Sequence, residues 1–179
     1  MTDLIVIPAF GCDERLYGKI APALRKIVNF RTMIADRDTF EGCVSQILDR
    51  APERFVILGT SFGGRAAMEV ALAAPGRVIG LIVIGSTAGP PPDPAAGLRR
   101  SARLRSGEVE GVVAEMAAMI SHLPGSNGAA ARDAFIAMAR TQGAELMARQ
   151  SDAMAKRSDL RPRLSSITCP ALMLWGVHD

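Results

Sequence analysis

Ser61 stands between two glycines in "VILGTSFGGRAAMEV", residues 56–70, where an apolar run gives way to small helix-forming residues. A serine hydroxyl becomes a nucleophile only when its backbone lifts it clear of its neighbours and a base takes its proton. The spacing Gly59, Ser61, Gly63 suits the first need. A sharp strand-to-helix turn strains the serine backbone and crowds the residues two positions to either side, so both must be glycine. Such a turn raises the hydroxyl above the carboxyl edge of a sheet. It also leaves the Phe62 amide at a helix N-terminus, where it can stabilise an oxyanion. Two other uses of this turn are open: Ser61 could be a helix-capping residue, or the glycines could cradle a phosphate. The second lacks the lysine and the G-x-x-x-x-G-K-[ST] spacing of a phosphate loop.

Acyl transfer at Ser61 needs a second oxyanion donor, and the stretch "IPAFGC" supplies a candidate in the Phe10 amide, although an ordinary Pro-Gly turn would read the same way. The elements that must position both donors follow from hydrophobic pattern. Leu4–Ile7 is a continuous apolar, β-branched run and reads as a buried parallel strand. In "CDERLYGKIAPALRKI" the residues Leu16, Ile20, Ala23 and Ile27 recur at helical spacing, which predicts an amphipathic helix. "NFRTMIAD" reads as a weak strand, "TFEGCVSQILDRAP" as a helix, "RFVILG" as a buried strand, and "RVIGLIVIG" as another. Alternating strands and helices specify an α/β fold with a doubly wound, mostly parallel sheet.

"STAGPPPDPAAG" breaks that alternation. From Leu98 to about Arg163 the pattern is helical, with Met116, Met119, Met138, Met147 and Met154 spaced so that several can share a side; after "ITCP" the strand pattern returns as "ALMLWG". The expected organisation is a core of residues 1–88 and 166–179 interrupted by a helical insertion over 89–165. Methionine linings adapt to flexible apolar groups, but the same residues could simply pack the insertion onto the sheet. Arg99, Arg100 and Arg103 fit a solvated helix face, and Cys12 fits a small packing residue rather than a reactive thiol.

Composition narrows the class. Of 179 residues 49% are hydrophobic and 22% charged, and the net charge is only +3, which fits a folded globular chain and argues against a nucleic-acid-binding face. Cys12, Cys43 and Cys169 have neither disulfide nor zinc-ligand spacing, and no cofactor or metal motif is present. The N-terminus has no basic leader, and no apolar run has membrane-spanning length, so a reducing cytoplasm is the expected home.

These stretches together resemble the α/β-hydrolase fold of bacterial esterases, lactonases and haloperoxidase-like proteins. "LIVIPAFGCDERLYGKIAPAL" is similar to the oxyanion strand and loop, and "RFVILGTSFGGRAAMEVALAAPGRVIGLIVIGS" to the nucleophile turn, its helix and the next strand. "RQSDAMAKRSDLRPRLSSITCPALMLWGVHD" is similar to the end of a helical cap and the strand that leads to the catalytic acid. Ala9 departs from the family's frequent "HG" or "PG" pair. The resemblance implies Ser61 as nucleophile, Phe10 and Phe62 as oxyanion donors, and Asp179 in "LWGVHD" as the acid. Asp179 also lies where a strand ends at its carboxyl edge, the usual place for α/β ligand sites. Family order is serine, acid, histidine, so neither His122 nor His178 fits the base. The expectation is therefore a C-terminally truncated hydrolase, inactive as given, whose parent cleaves a small carboxylic ester or lactone without a cofactor. The alternative is a non-catalytic protein of the same fold that binds a ligand or partner.

Overall fold

A computed structural model describes residues 1–120 and 126–177. Five parallel strands form one sheet: β1 (Thr2–Ile7), β2 (Val28–Thr32), β3 (Phe55–Thr60), β4 (Val78–Ile84) and β5 (Ala171–Leu174), in the order β2-β1-β3-β4-β5. Between them lie α1 (Ala21–Leu24), α2 (Phe40–Leu48) and α3 (Phe62–Ala73). This is the doubly wound parallel sheet expected from the alternating pattern, and it is of the α/β-hydrolase type that the resemblance implied. The β-branched and leucine-rich runs of β1, β3 and β4 suit strands covered on both faces. Alternation along β1 sends Ile5 and Ile7 into the larger apolar cluster with α2 and α3, and Leu4 and Val6 into a smaller one with Tyr17 and Leu58.

Between β4 and β5 the described chain forms four α-helices and no strand: α4 (Pro94–Arg105), α5 (Val109–Ile120), α6 (Ser126–Gln142) and α7 (Ala144–Lys156). Proline at the start of α4 and the positive φ of Gly107 and Gly143 set the boundaries of these helices. Leu104, Val112, Phe135, Met138 and Met147 join the same apolar cluster as the sheet, so the insert shares the core with the strands. At the other edge β5 is apolar yet open, with Leu172 and Trp175 half exposed.

One expected element is corrected. The stretch from Cys12 to Ile27 is not a single amphipathic helix. A 3-10 turn, Glu14–Tyr17, is capped by the Asp13 side chain, and α1 is only four residues long with Pro22 in its first turn. Gly18 and Pro22 interrupt the run, and Ile20 and Ile27 are exposed while Tyr17 and Ala21 are buried.

Arg65 of α3 fastens the insert to the sheet. Its side chain is 1% exposed and pairs with Glu69 at 2.8 Å. The same guanidinium donates to the Ala88 and Gly89 carbonyls, where the chain enters the insert, and to the Ser158 carbonyl, where it leaves. The Leu160 amide donates to the Ala88 carbonyl at 2.8 Å, joining the two crossings directly. Removing the guanidinium would leave the largely buried Glu69 carboxylate without its partner and take one donor from each of three carbonyls, of which Ala88 and Gly89 keep Leu160 and Arg157. Arg65→Met is therefore expected to cost about 3 kcal/mol, read as a lower urea midpoint with an unchanged slope.

Candidate functional site

The strand order puts β1 beside β3, yet the chain leaves β1 toward one edge of the sheet and β3 toward the other. The loops after these strands therefore diverge and open a crevice at their carboxyl ends, the usual ligand site of doubly wound sheets. Ile7 is in register with Gly59, so the loop that begins at Pro8 and the turn that begins at Ser61 start within one residue of level. Phe10 lies on the first loop and Ser61 on the second.

Ser61 has φ 52 and ψ −113, the only positive φ of a non-glycine among the described residues. Its amide donates to the Ile84 carbonyl at 2.8 Å, and its carbonyl accepts from the Arg65 amide at 3.1 Å, so the turn is held by β4 on one side and α3 on the other. The glycine spacing has a steric cause. A Cβ on Gly59 would lie 2.0 Å from the Gly63 carbonyl oxygen, and one on Gly63 would lie 2.0 Å from the Ile7 carbonyl oxygen. The turn is thus wedged against both strands, which is what forces the strain. The Ser61 side chain is exposed and makes no capping bond to α3, so helix capping does not account for the serine.

Both candidate oxyanion donors border this turn. Phe62 opens α3, where an amide has no intrahelical acceptor; its ring is buried against Phe40, with centroids 5.2 Å apart. Phe10 is buried beneath the Arg100 guanidinium, which lies 5.5 Å from its ring centroid. Neither amide donates to another group among the described residues. Arg100 does not belong to a solvated face: burial lowers its pKa, and it donates to the Ser151 hydroxyl at 3.3 Å. Arg99 and Arg103 do face solvent, where Arg103 pairs with Glu108 and Glu115.

Two positioning groups carried no signal of their own in the sequence. The Tyr17 hydroxyl donates to the Ile7 carbonyl at 3.0 Å, which commits its one proton; Thr60, 2.8 Å away, must then be the donor in the bond between the two hydroxyls. This chain ties the end of β1 to the residue preceding Ser61, and burial raises the Tyr17 pKa so that the phenol stays neutral. Gln150 of α7 accepts from the Gly11 amide.

A cavity of about 970 Å³ opens above Ser61. Ala9, Phe10 and Thr60 lie at its base with Ser61, Leu16 and Ile20 form one wall, and Met116, Met119, Phe135 and Met138 form another. Of the apolar stripe that predicted an amphipathic helix, Leu16 and Ile20 line this cavity, whereas Ala23 and Ile27 face solvent. Three of the five methionines face this space, whereas Met147 is buried against Gly11 and Met154 packs against the core. At the rim Arg15 is occupied by Asp13, at 2.5 Å, and by the Thr141 hydroxyl at 2.8 Å; hydrogen bonds from Arg15 hold the Asp13 carboxyl below the usual range. Cys12 is a packing residue: burial, helped by the Asp13 charge, pushes its thiol up to about 12. Asp179, His122 and His178 lie outside the described residues, which contain no histidine. Among the described residues no group of three histidine, cysteine, aspartate or glutamate side chains could hold a metal ion, and no helix is long and apolar enough to cross a membrane.

A parallel sheet with a strained serine turn after β3 and a helical insert above it defines the α/β-hydrolase class. The chain belongs to the hydrolase family described as serine aminopeptidase, S33, whose model matches residues 7–179. It is similar to the pimeloyl-[acyl-carrier protein] methyl ester esterase of Pectobacterium carotovorum subsp. carotovorum (strain PC1), 33% identical over 97 residues, 48% of this chain and 37% of that protein. It is also similar to 2-hydroxy-6-oxononadienedioate/2-hydroxy-6-oxononatrienedioate hydrolase 1 of Dechloromonas aromatica (strain RCB), 33% identical over 132 residues, 69% of this chain and 45% of that protein. These matches span less than half the length of either relative. Among solved structures, MenH from S. aureus superposes with a TM-score of 0.82 at 20% identity, covering 99% of this chain and 76% of that one. The enol-lactonase from Burkholderia xenovorans LB400 gives 0.77 at 21%, covering 99% and 74%. At these identities the structural matches speak for the fold.

Two predictions follow from the packing and the buried thiol. Gly63→Ala forces a Cβ into backbone that cannot move aside and is expected to cost at least about 2 kcal/mol, or about 4–8 °C in Tm. Gly76→Ala, with nothing within 4 Å of the new Cβ, should change Tm little. For Cys12 the unfolded thiol ionises near 9 and the folded one near 12, so between these values the folded state holds the extra proton and stability falls as pH rises. Urea titrations from pH 8 to 11 should show a shallower decline for Cys12→Ala than for the parent.

Proposed function

We propose that the protein hydrolyses a carboxylic ester or lactone through an acyl-enzyme on Ser61. The observation that carries this reading is the strained Ser61 backbone. A non-glycine residue at φ 52 costs about 1–3 kcal/mol, and that cost has a use when the hydroxyl must stand clear of the sheet. In the proposed reaction Ser61 Oγ attacks the carbonyl carbon while a base accepts its proton. The carbonyl oxygen takes up negative charge between the Phe10 and Phe62 amides. The alcohol then leaves with the proton, and water, activated by the same base, releases the acid and restores Ser61. The base comes from outside the described residues, and Asp179 is the proposed acid that orients it.

The cavity supports an apolar acyl or alcohol group, because its walls are methionine, leucine, isoleucine and phenylalanine. The helical insert acts in this reading as a cap whose methionines shape the site. The names of the two relatives, a methyl ester esterase and a hydrolase of oxo-dienedioates, support a hydrolytic reaction and, from the first, an ester.

In the full-length protein a fluorophosphonate probe should label Ser61, and Ser61→Ala should abolish labelling and lower hydrolysis of a short aryl ester by at least about 10³-fold. A folded full-length protein in which Ser61 stays unlabelled, or in which Ser61→Ala hydrolyses the ester unchanged, would favour a non-catalytic binding protein of the same fold.

A further inference from the structure

We propose that Gln150 is a positioning residue for the oxyanion site: from the insert, its buried carboxamide fixes the turn that aims the Phe10 amide. This inference rests on the reading of Ser61 as nucleophile and Phe10 as oxyanion donor. Gln150 lies on α7, 139 residues from the loop it touches, and is 2% exposed. Its Oε1 accepts from the Gly11 amide at 2.9 Å, and its Nε2 donates to the Ala35 carbonyl at 2.9 Å. Both partners are backbone groups, one only a donor and the other only an acceptor, so the orientation of the amide is determined. No hydrocarbon side chain of the same length could satisfy either partner, and each would be left buried without a bond.

The turn has little else to hold it. Gly11 adopts φ +63, and the turn is closed by one backbone bond, from the Cys12 amide to the Ala9 carbonyl at 3.0 Å. The Phe10 N–H lies on the Ala9–Phe10 peptide, which is joined through the Phe10 Cα to the Phe10–Gly11 peptide whose N–H donates to Gln150, so holding the second plane limits rotation of the first. Two further contacts from the insert act on the same three residues. The Met147 sulfur would lie 3.2 Å from a Cβ on Gly11, and Arg100, anchored to Ser151, covers the Phe10 ring. Gln150, Met147 and Ser151 share α7, so docking of that helix and formation of the oxyanion site are a single event. The other end of the carboxamide reaches Ala35, on the segment after β2, and thereby references the turn to the sheet rather than to the insert alone. An enzyme built this way stabilises the oxyanion only while α7 is seated.

The test is made on the full-length protein. Gln150→Met keeps the size and removes both bonds. It is expected to lower kcat for a short aryl ester about 10- to 100-fold, with KM changed less than about 2-fold, because the lost contact matters only when the oxyanion forms. A folded Gln150→Met protein with unchanged kcat, or with KM raised in proportion to the loss in kcat/KM, would overturn the proposal. Should that variant fail to fold, amide hydrogen exchange on the unaltered protein decides. The Gly11 amide should exchange as slowly as the amides of β1, while the Phe10 amide exchanges fast and slows at least about 10-fold once Ser61 carries a phosphonate. Fast exchange at Gly11, or no slowing at Phe10 in a fully labelled protein, rejects it. Failure of Ser61 itself to label or to matter is a separate result and refutes the prior reading instead.

Discussion

The close approach of Gly59 and Gly63 governs the structure around the site. Hydrogen atoms on these two residues are all that permits the carbonyl of Gly63 and the end of β1 to come as near as they do. The helix α3 is thereby pressed onto β1 and β3, and Ser61 is left at a φ that serine otherwise avoids. Strain of this kind persists only where the surroundings over-determine it. Here they do so through the Ile84 carbonyl, the Arg65 amide and the buried Phe62 ring. The serine is exposed because the chain around it cannot relax.

A second consequence of that seating is the place of Arg65. It falls on the first turn of α3 after the glycines, on the face that turns inward, and a guanidinium buried there must find acceptors. It finds Glu69 and the carbonyls at both ends of the helical insert. Gln150 and Arg100 are the counterparts from the insert, one bonded to the loop after β1 and the other laid on Phe10. Polar groups thus hold the insert in one orientation, while the shared apolar cluster supplies most of the attraction. Hydrophobic contact alone is non-directional; directed hydrogen bonds between backbone carbonyls, amides and buried side chains give the register.

The cavity takes its character from the same arrangement. Leu16 and Ile20 project from the irregular segment after β1, where Gly18 and Pro22 stop a helix from forming and turning them onto the core. Met116, Met119 and Met138 face them from the insert. Apolar walls around a serine lower the local dielectric, so amide dipoles aimed at a developing negative charge act more strongly there than in water.

The amino-acid pattern by itself determined the alternating strands and helices, the break at the proline-rich stretch before Pro94, and the strained serine turn between Gly59 and Gly63. Each is set by residues close together in the chain: side-chain period, proline and glycine backbone limits, and crowding across four positions. The same local reasoning misplaced the segment from Cys12 to Ile27, because helical spacing of apolar residues does not say whether the apolar side meets a core or a cavity. It also assigned Arg100 to water, since nothing near it in sequence announces the Phe10 ring. Gln150, Tyr17 and the carbonyl partners of Arg65 were decided only by tertiary structure. Their bonds join positions from ten to 139 residues apart, and a polar side chain's meaning depends on which backbone groups the fold leaves buried beside it.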